Sequence, residues 1–193
     1  MDTHISNPGP PLRRAVFVDR DGTLNLDVHY LSDPQRLEIP QGVARGLRQL
    51  RAHGYLIIVA TNQSGIARGL YTVADVEAIH RRLQERLQEA RAAVDAFYYC
   101  PHEPSEQCPC RKPRTGLFLQ AQKDFHLDLP LCAIIGDRWM DVEVGRQLGM
   151  LTAFVPEPGF RPRYPDEVER ARKEADIFTT SFREACWRIL ARG

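Results

Sequence analysis

The sequence predicts an α/β protein, a parallel sheet with crossover helices on its faces. Three observations carry that. Short apolar runs bounded by turn residues alternate with segments of helical period. Polar residues, Asp19, Thr61 and Asp137, stand at the ends of three of those runs, the sheet edge where ligands bind in open α/β folds. The 193 residues suffice for one well-buried domain and are too few for two ordinary ones.

Taken in order, residues 1–12 contain three prolines and no apolar core, and read as a loose tail ahead of a single domain over 13–193. Strands are expected at Ala15–Val18, Leu56–Ala60, Ala96–Tyr99, Ala133–Gly136 and Thr152–Val155, each an apolar run closed by turn residues. Val43–Ala52 carries apolar residues at helical spacing and is stopped by His53-Gly54. Thr72 and Asp75 form a capping-box pattern, and behind them Val76, Ile79, Leu83 and Leu87 make one apolar stripe. Further helices fit Leu117–Phe125, Met140–Leu148, Asp166–Ala175 and Phe182–Ala191. The stretch between the first two strands, part of it helical, is too short to fold as a separate lid.

Composition excludes some functions. Hydrophobic residues make up 43% and charged residues 26%, as in a soluble globular protein, and the formal charge of +1 gives no electrostatic reason for a nucleic-acid or anionic-membrane partner. No apolar stretch has the length of a membrane span. The beginning of the chain lacks the apolar core of a secretion signal, so a cytoplasmic location is expected, with a monomer as the working state.

The most informative segment is Phe17-Val18-Asp19-Arg20-Asp21-Gly22-Thr23-Leu24-Asn25. Side chains at i and i+2 of an extended chain point the same way, so Asp19 and Asp21 are expected to converge. Two such carboxylates repel unless a cation, a shared proton or an electrophile lies between them. An ordinary Asp-Gly turn is the alternative for this segment taken alone. A strand tip carrying D-x-D-G-T resembles the nucleophile motif of the haloacid dehalogenase (HAD) phosphatase superfamily, and the downstream motifs follow in the order that superfamily requires.

The second motif is Thr61-Asn62-Gln63-Ser64-Gly65-Ile66-Ala67-Arg68-Gly69. A hydroxyl and free N–H groups at a strand-to-helix junction suit phosphate oxygens; a helix-capping loop is the other reading. Then comes Arg111-Lys112-Pro113, with Lys112 one of three lysines in the chain. In Ile135-Gly136-Asp137-Arg138-Trp139-Met140-Asp141, a strand ending in Asp, with another Asp four residues on, suits oxygen ligation of Mg²⁺. Asp141 reads equally as a first-turn acid.

Cys100, His102, Cys108 and Cys110 lie within eleven residues in a Pro-rich loop with few apolar side chains. Three thiols and an imidazole form a closed tetrahedral Zn²⁺ set; the alternatives are a disulfide, which does not suit a cytoplasmic protein, and a chance grouping. With four protein ligands the zinc would be structural, fastening the loop that delivers Arg111 and Lys112. Cys132 and Cys186, in a strand and a helix, read as inert buried thiols.

From Ala15 to Val155 these motifs together resemble the D-glycero-D-manno-heptose 1,7-bisphosphate 7-phosphatase family. The resemblance implies an HAD-like Rossmannoid fold without a separate cap domain, catalytic Mg²⁺ at Asp19, Asp21 and Asp137, and structural Zn²⁺. It implies Asp19 as nucleophile, Asp21 as general acid then base, and Thr61 and Lys112 as stabilisers of the transferring phosphoryl group. Asp27, Val28, His29, Tyr30, Asn62, Gln63, Ser64, Arg111 and Arg138 match positions that contact a small sugar bisphosphate. Asp27-Val28-His29-Tyr30 departs from the family's Asp-His-Gly-Tyr form, and Arg138 stands where Lys is expected; both bear on substrate fit. Histidinol-phosphate phosphatases resemble the chain in several motifs but lack the SGIARG continuation. A zinc-stabilised binding module without catalysis is the alternative from another class.

Overall fold

The computed structural model describes residues 11–157 and 164–192. Most of the tail expected over residues 1–12 lies outside the described residues. Six strands form one parallel sheet: β1 Ala15–Val18, β2 Leu56–Asn62, β3 Ala96–Cys100, β4 Ala133–Gly136, β5 Leu151–Phe154 and β6 Ile177–Phe178. Their spatial order is β3-β2-β1-β4-β5-β6. Among the described residues six α-helices accompany them: α1 Val43–Ala52, α2 Val73–Glu89, α3 Gly116–Phe125, α4 Trp139–Gln147, α5 Pro165–Glu174 and α6 Phe182–Leu190. Among the described residues no helix is long and apolar enough to cross a membrane.

The central strand shows why this sequence makes a two-faced layer. Side chains alternate along a strand, so Val16 and Val18 enter one core with Leu47, Leu50, Ile79, Leu83 and Ile189. Ala15 and Phe17 enter the other, with Phe118, Ala121 and Val144. All four residues of β1 are buried, which is the continuous apolar run expected of a strand covered on both faces. Phe17 pairs in register with Ile58 and Ile134 on its two neighbours and packs on Phe118 with ring centroids 4.9 Å apart.

The five expected strands and six helices are present, β1, β4 and α1 with the expected bounds and the others displaced by at most two residues. Thr72 caps α2 as its spacing predicts: Asp75 N–H donates to Thr72 Oγ1 and Thr72 N–H to Asp75 Oδ2. Strand β6 was not legible, because two residues, Ile177 and Phe178, carry no periodicity; only pairing with β5 defines them. Among the described residues the stretch between β1 and α1 holds a single 3₁₀ turn, Pro34–Arg36, and no folded insertion.

Strands β2 and β4 flank β1 on opposite sides, so the chain reverses its direction of growth there. Loops leave the ends of β1, β2 and β4 in different directions and open a crevice between them.

Close approach of α1 and α6 depends on Gly46. A Cβ there would lie 2.7 Å from Cys186 Sγ and 3.1 Å from Phe182 Cδ1. Gly46→Ala should lose about 1–3 kcal/mol through overpacking, offset by up to about 1 kcal/mol of helix propensity. Thermal unfolding should show a lower Tm for Gly46→Ala and partial recovery when Cys186→Ala is added; equal Tm values for the single and double variants would exclude this contact as the cause.

Candidate active site

The crevice at the carboxyl edge of the sheet is a cavity of about 680 Å³ lined by Asp19, Asp21, Thr61 and Asp137, among others. Asp19 follows β1 directly, and its N–H donates to the carbonyl of Ile135 in β4 at 2.9 Å, drawing the ends of the two strands together. Asp19, Asp137 and Asp141 each present a carboxylate oxygen within 4.8 Å of the others. Lys112 reaches this group: its Nζ lies 3.0 Å from Asp19 Oδ1 and 2.6 Å from Asp141 Oδ1. The lysine is buried, with its ammonium against the carboxylates of Asp19 and Asp141.

The charges are out of balance. Burial opposes the Lys112 ammonium, but the carboxylates of Asp141 and Asp19 outweigh it and raise its pKa. Burial, with the negative charges of Asp19 and Asp141, lifts Asp137 well above the usual carboxylate range. Burial likewise pushes Asp141 up to about 7, against the pull of Lys112. Such crowding is what a divalent cation relieves, and carboxylate oxygens are its preferred donors. The donor set of Asp19, Asp137 and Asp141 therefore fits Mg²⁺. Asp141 also accepts the N–H of Arg138 at 3.3 Å; the two readings open for it, first-turn acid and member of the acid group, hold together.

Asp21 stands apart: its carboxylate lies outside the three-acid group. The strand ends at Val18 and the chain turns through Gly22, at φ 82°, so the period-two rule no longer applies. Four donors hold it instead: Arg20 Nε at 3.1 Å and Asn25 Nδ2 at 3.0 Å on Oδ1, Arg20 Nη2 at 2.7 Å and Gln63 Nε2 at 2.9 Å on Oδ2. Burial pushes its pKa up, but the Arg20 charge and these hydrogen bonds prevail and hold it below the ordinary value.

The remaining expected residues divide. Asp27, His29, Tyr30, Asn62, Ser64, Arg111 and Arg138 line the cavity with Thr61. Val28 does not; it packs against the hydrophobic core. Gln63 does not either: it is buried, its amide donating to Asp21 and to Thr61 Oγ1 and accepting from Tyr71. Asn62 both lines the cavity and clamps the backbone of Lys112, accepting its N–H at 3.0 Å and donating to its carbonyl at 3.2 Å. Arg138 is held in a bidentate pair by Glu167 and stacks 3.5 Å over the Tyr164 ring.

Cys100, His102, Cys108 and Cys110 come together in space. Five of the six distances among their Sγ and Nδ1 atoms run from 3.2 to 3.6 Å. A tetrahedron of that size has its centre about 2.1 Å from each corner, close to Zn–S and Zn–N bond lengths, so the donor set fits Zn²⁺. The neighbouring backbone ties this loop to the crevice. Arg111 Nη1 donates to the carbonyl of His102 at 3.1 Å, and Gln63 N–H to that of Cys100 at 2.7 Å.

Several residues of the site were not anticipated. Arg20 sits inside the aspartate motif, and its position between two acids was the available signal. His80 lies on the buried face of α2 beside Ile79 and Leu83, where a polar residue in an apolar stripe was the sign. Arg68, Tyr71, Tyr164 and Arg172 also line the cavity, and the last two had no sequence signal.

The chain is similar in sequence and fold to known proteins. A family model described as HAD-hydrolase-like matches residues 109–185, and one described as polynucleotide kinase 3 phosphatase matches residues 21–138. The D-glycero-β-D-manno-heptose-1,7-bisphosphate 7-phosphatase of Haemophilus ducreyi is 38% identical over 76% of this chain and 85% of its own. That of Escherichia coli is 35% identical over 81% and 85%. The crystal structure of a D,D-heptose 1,7-bisphosphate phosphatase from B. bronchiseptica, complexed with magnesium and phosphate, superposes with a TM-score of 0.82 at 25% identity, covering 94% of this chain and 100% of that one.

Fold and site thus define an HAD-like hydrolase, an enzyme of the phosphatase class. Within that class, the chain belongs to the D-glycero-β-D-manno-heptose-1,7-bisphosphate 7-phosphatase family.

His80 generates a stability prediction. Burial, and then the Arg20 charge, lower its pKa from 6.5 to about 3. The folded state keeps it neutral while the unfolded chain takes up a proton below about 6.5, so its contribution is present above that pH and is lost on acidification toward about 3. The slope is about 1.4 kcal/mol per pH unit for one proton. Denaturant melts between pH 7 and 5 should show a shallower loss of stability for His80→Gln than for the wild type; parallel curves would refute the assignment.

Proposed function

We propose that the chain is a Mg²⁺-dependent phosphomonoesterase that removes the 7-phosphate of D-glycero-D-manno-heptose 1,7-bisphosphate, leaving the 1-phosphate. The observation that carries the reading is the division of labour between the two aspartates. Asp19 lies against the Lys112 ammonium in a group of carboxylates. Asp21 faces the same cavity from outside that group, fixed by four donors. The first is placed for nucleophilic attack, and the second is aimed into the cavity to exchange a proton once a phosphate offsets the Arg20 charge.

In the reaction Asp19 attacks phosphorus and an aspartyl-phosphate forms as the sugar oxygen leaves. The negative phosphate entering beside Asp21 offsets the Arg20 charge, so that Asp21 enters the reaction protonated, gives that proton to the leaving oxygen, and regains one from the water that cleaves the intermediate. Thr61 and Lys112 stabilise charge on the phosphoryl oxygens. Asp19, Asp137 and Asp141 would hold Mg²⁺, which when bound offsets the repulsion between nucleophile and phosphate. Asp27, His29, Tyr30, Asn62, Ser64, Arg111 and Arg138 would contact the sugar bisphosphate. Cys100, His102, Cys108 and Cys110 would hold a structural Zn²⁺ that keeps Arg111 and Lys112 in place. On the same reading residues 13–193 are one catalytic domain acting as a monomer in the cytoplasm.

Comparing kcat/KM for heptose 1,7-bisphosphate, fructose 1,6-bisphosphate and histidinol phosphate tests the substrate; a preference for histidinol phosphate would overturn it. Asp19→Asn should abolish turnover in a folded protein, since an amide is not a usable nucleophile. Mild EDTA should stop catalysis, and added Mg²⁺ should restore it.

Cys108→Ser should lose zinc while the sheet, whose strand positions other than Cys100 lie outside the loop, persists by circular dichroism. Activity should drop on the order of 10²-fold, the scale of about 1 Å of misplacement. Full activity in zinc-free Cys108→Ser would show that the loop positions nothing. Lys112→Ala should damage catalysis with zinc content unchanged.

A further inference from the structure

Behind Asp21 runs a chain of buried side chains that phosphoryl transfer itself does not use. Arg20 is wholly buried although it stands between the two aspartates. Its Nε and Nη2 form a fork on the two oxygens of Asp21, at 3.1 and 2.7 Å, and Nη2 also donates to Gln63 Oε1 at 3.0 Å. The remaining nitrogen, Nη1, lies 3.3 Å from Nε2 of His80, sixty positions along the chain on α2. A guanidinium only donates, so Nε2 accepts, and the imidazole is neutral with its proton on Nδ1.

His80 is itself held firmly. Its ring stacks on Phe97 at 4.5 Å and meets the edge of Tyr99 at 5.8 Å, both on β3. Burial and the neighbouring Arg20 charge keep its pKa at about 3, so it stays an acceptor across the neutral range. Neutrality matters at this position. A carboxylate there would offer Arg20 a competing ion pair and draw the fork off Asp21. An apolar side chain would leave a buried N–H without a partner. A neutral imidazole accepts one hydrogen bond and leaves the fork in place.

We propose that His80 is a positioning residue for the phosphatase reaction: by accepting from Arg20 it fixes the guanidinium fork that aims the Asp21 carboxylate into the cavity. The inference rests on the reading of Asp21 as the proton carrier. It assigns to α2 and β3, at the far edge of the sheet, a part in the geometry of the proton-transfer step.

The test uses leaving groups of different basicity. An alkyl phosphate needs its leaving oxygen protonated, whereas p-nitrophenolate departs as the anion. In His80→Leu, kcat on the heptose bisphosphate should fall about 10²-fold with KM little changed. First-turnover release of p-nitrophenolate from p-nitrophenyl phosphate should fall far less. His80→Gln, whose amide oxygen can accept from Arg20, should recover most of the loss. His80→Glu keeps Arg20 paired and the fold supported, and should nevertheless lose alkyl-phosphate turnover because the fork shifts to the new carboxylate; it decides the matter if His80→Leu does not fold. Equal losses on both substrates, or wild-type kcat on the heptose bisphosphate in folded His80→Leu or His80→Glu, would overturn the proposal. Asp21→Asn separates the two levels. If it retains alkyl-phosphate turnover, the reading of Asp21 fails and the inference with it. If it is inactive while the Leu and Glu variants at position 80 are not, the positioning role alone fails.

Discussion

The contact between the Lys112 ammonium and the carboxylates of Asp19 and Asp141 sets the terms for everything around it. Three aspartates whose oxygens lie within 4.8 Å of one another cannot be packed at the edge of an apolar sheet without compensating charge. A buried lysine is equally untenable without partners. Each therefore fixes the position of the other, and the surrounding chain is arranged to keep them in register. Asn62 holds the backbone of Lys112 by both its N–H and its carbonyl. Asp141 is bound to the start of α4 through the N–H of Arg138. Asp19 is bound to β4 through the carbonyl of Ile135. What remains of the imbalance, expressed in the raised pKa values of Asp137 and Asp141, is left for a cation.

That constraint explains why two aspartates only two positions apart occupy different electrostatic settings. Asp19 leaves β1 while the chain is still tied to its neighbour strand and falls among the carboxylates. Asp21 comes after the chain has begun to turn, and Arg20 folds under it as a fork. The arginine between the two acids is thus a divider. Its charge depresses the pKa of one carboxylate, while the other is matched to a different cation, Lys112. Separation of roles in such sites comes from environment, because the side chains themselves are chemically identical.

The walls of the cavity are secured from outside the sheet. Arg68 joins the Tyr30 hydroxyl to Glu103 of the cysteine-rich loop, so the segment carrying His29 and Tyr30, both at positive φ, is fastened to the segment carrying the thiols. Across the cavity, Glu167 of α5 grips Arg138 and accepts the N–H of Trp139. Position 138, where arginine replaces the expected lysine, is thereby committed to a planar bidentate pair that a lysine cannot form. The substitution and the α5 wall belong together.

By itself the sequence determined the parts that depend on local pattern. Apolar runs marked five strands, the Thr72/Asp75 spacing marked a helix start, and Asp19, Thr61, Lys112, Asp137 and the four residues of the thiol loop stood out because their chemistry is costly anywhere except at a site. Tertiary structure alone decided how those parts face one another. It kept the Asp21 carboxylate out of the three-acid group, withdrew Gln63 and Val28 from the cavity, buried Lys112 against Asp19 and Asp141, paired Ile177 and Phe178 into a sixth strand, and brought His80 behind Arg20. Each of these depends on contacts between segments far apart in the chain, and a local pattern records the burial or the charge of a residue without recording which distant partner will satisfy it.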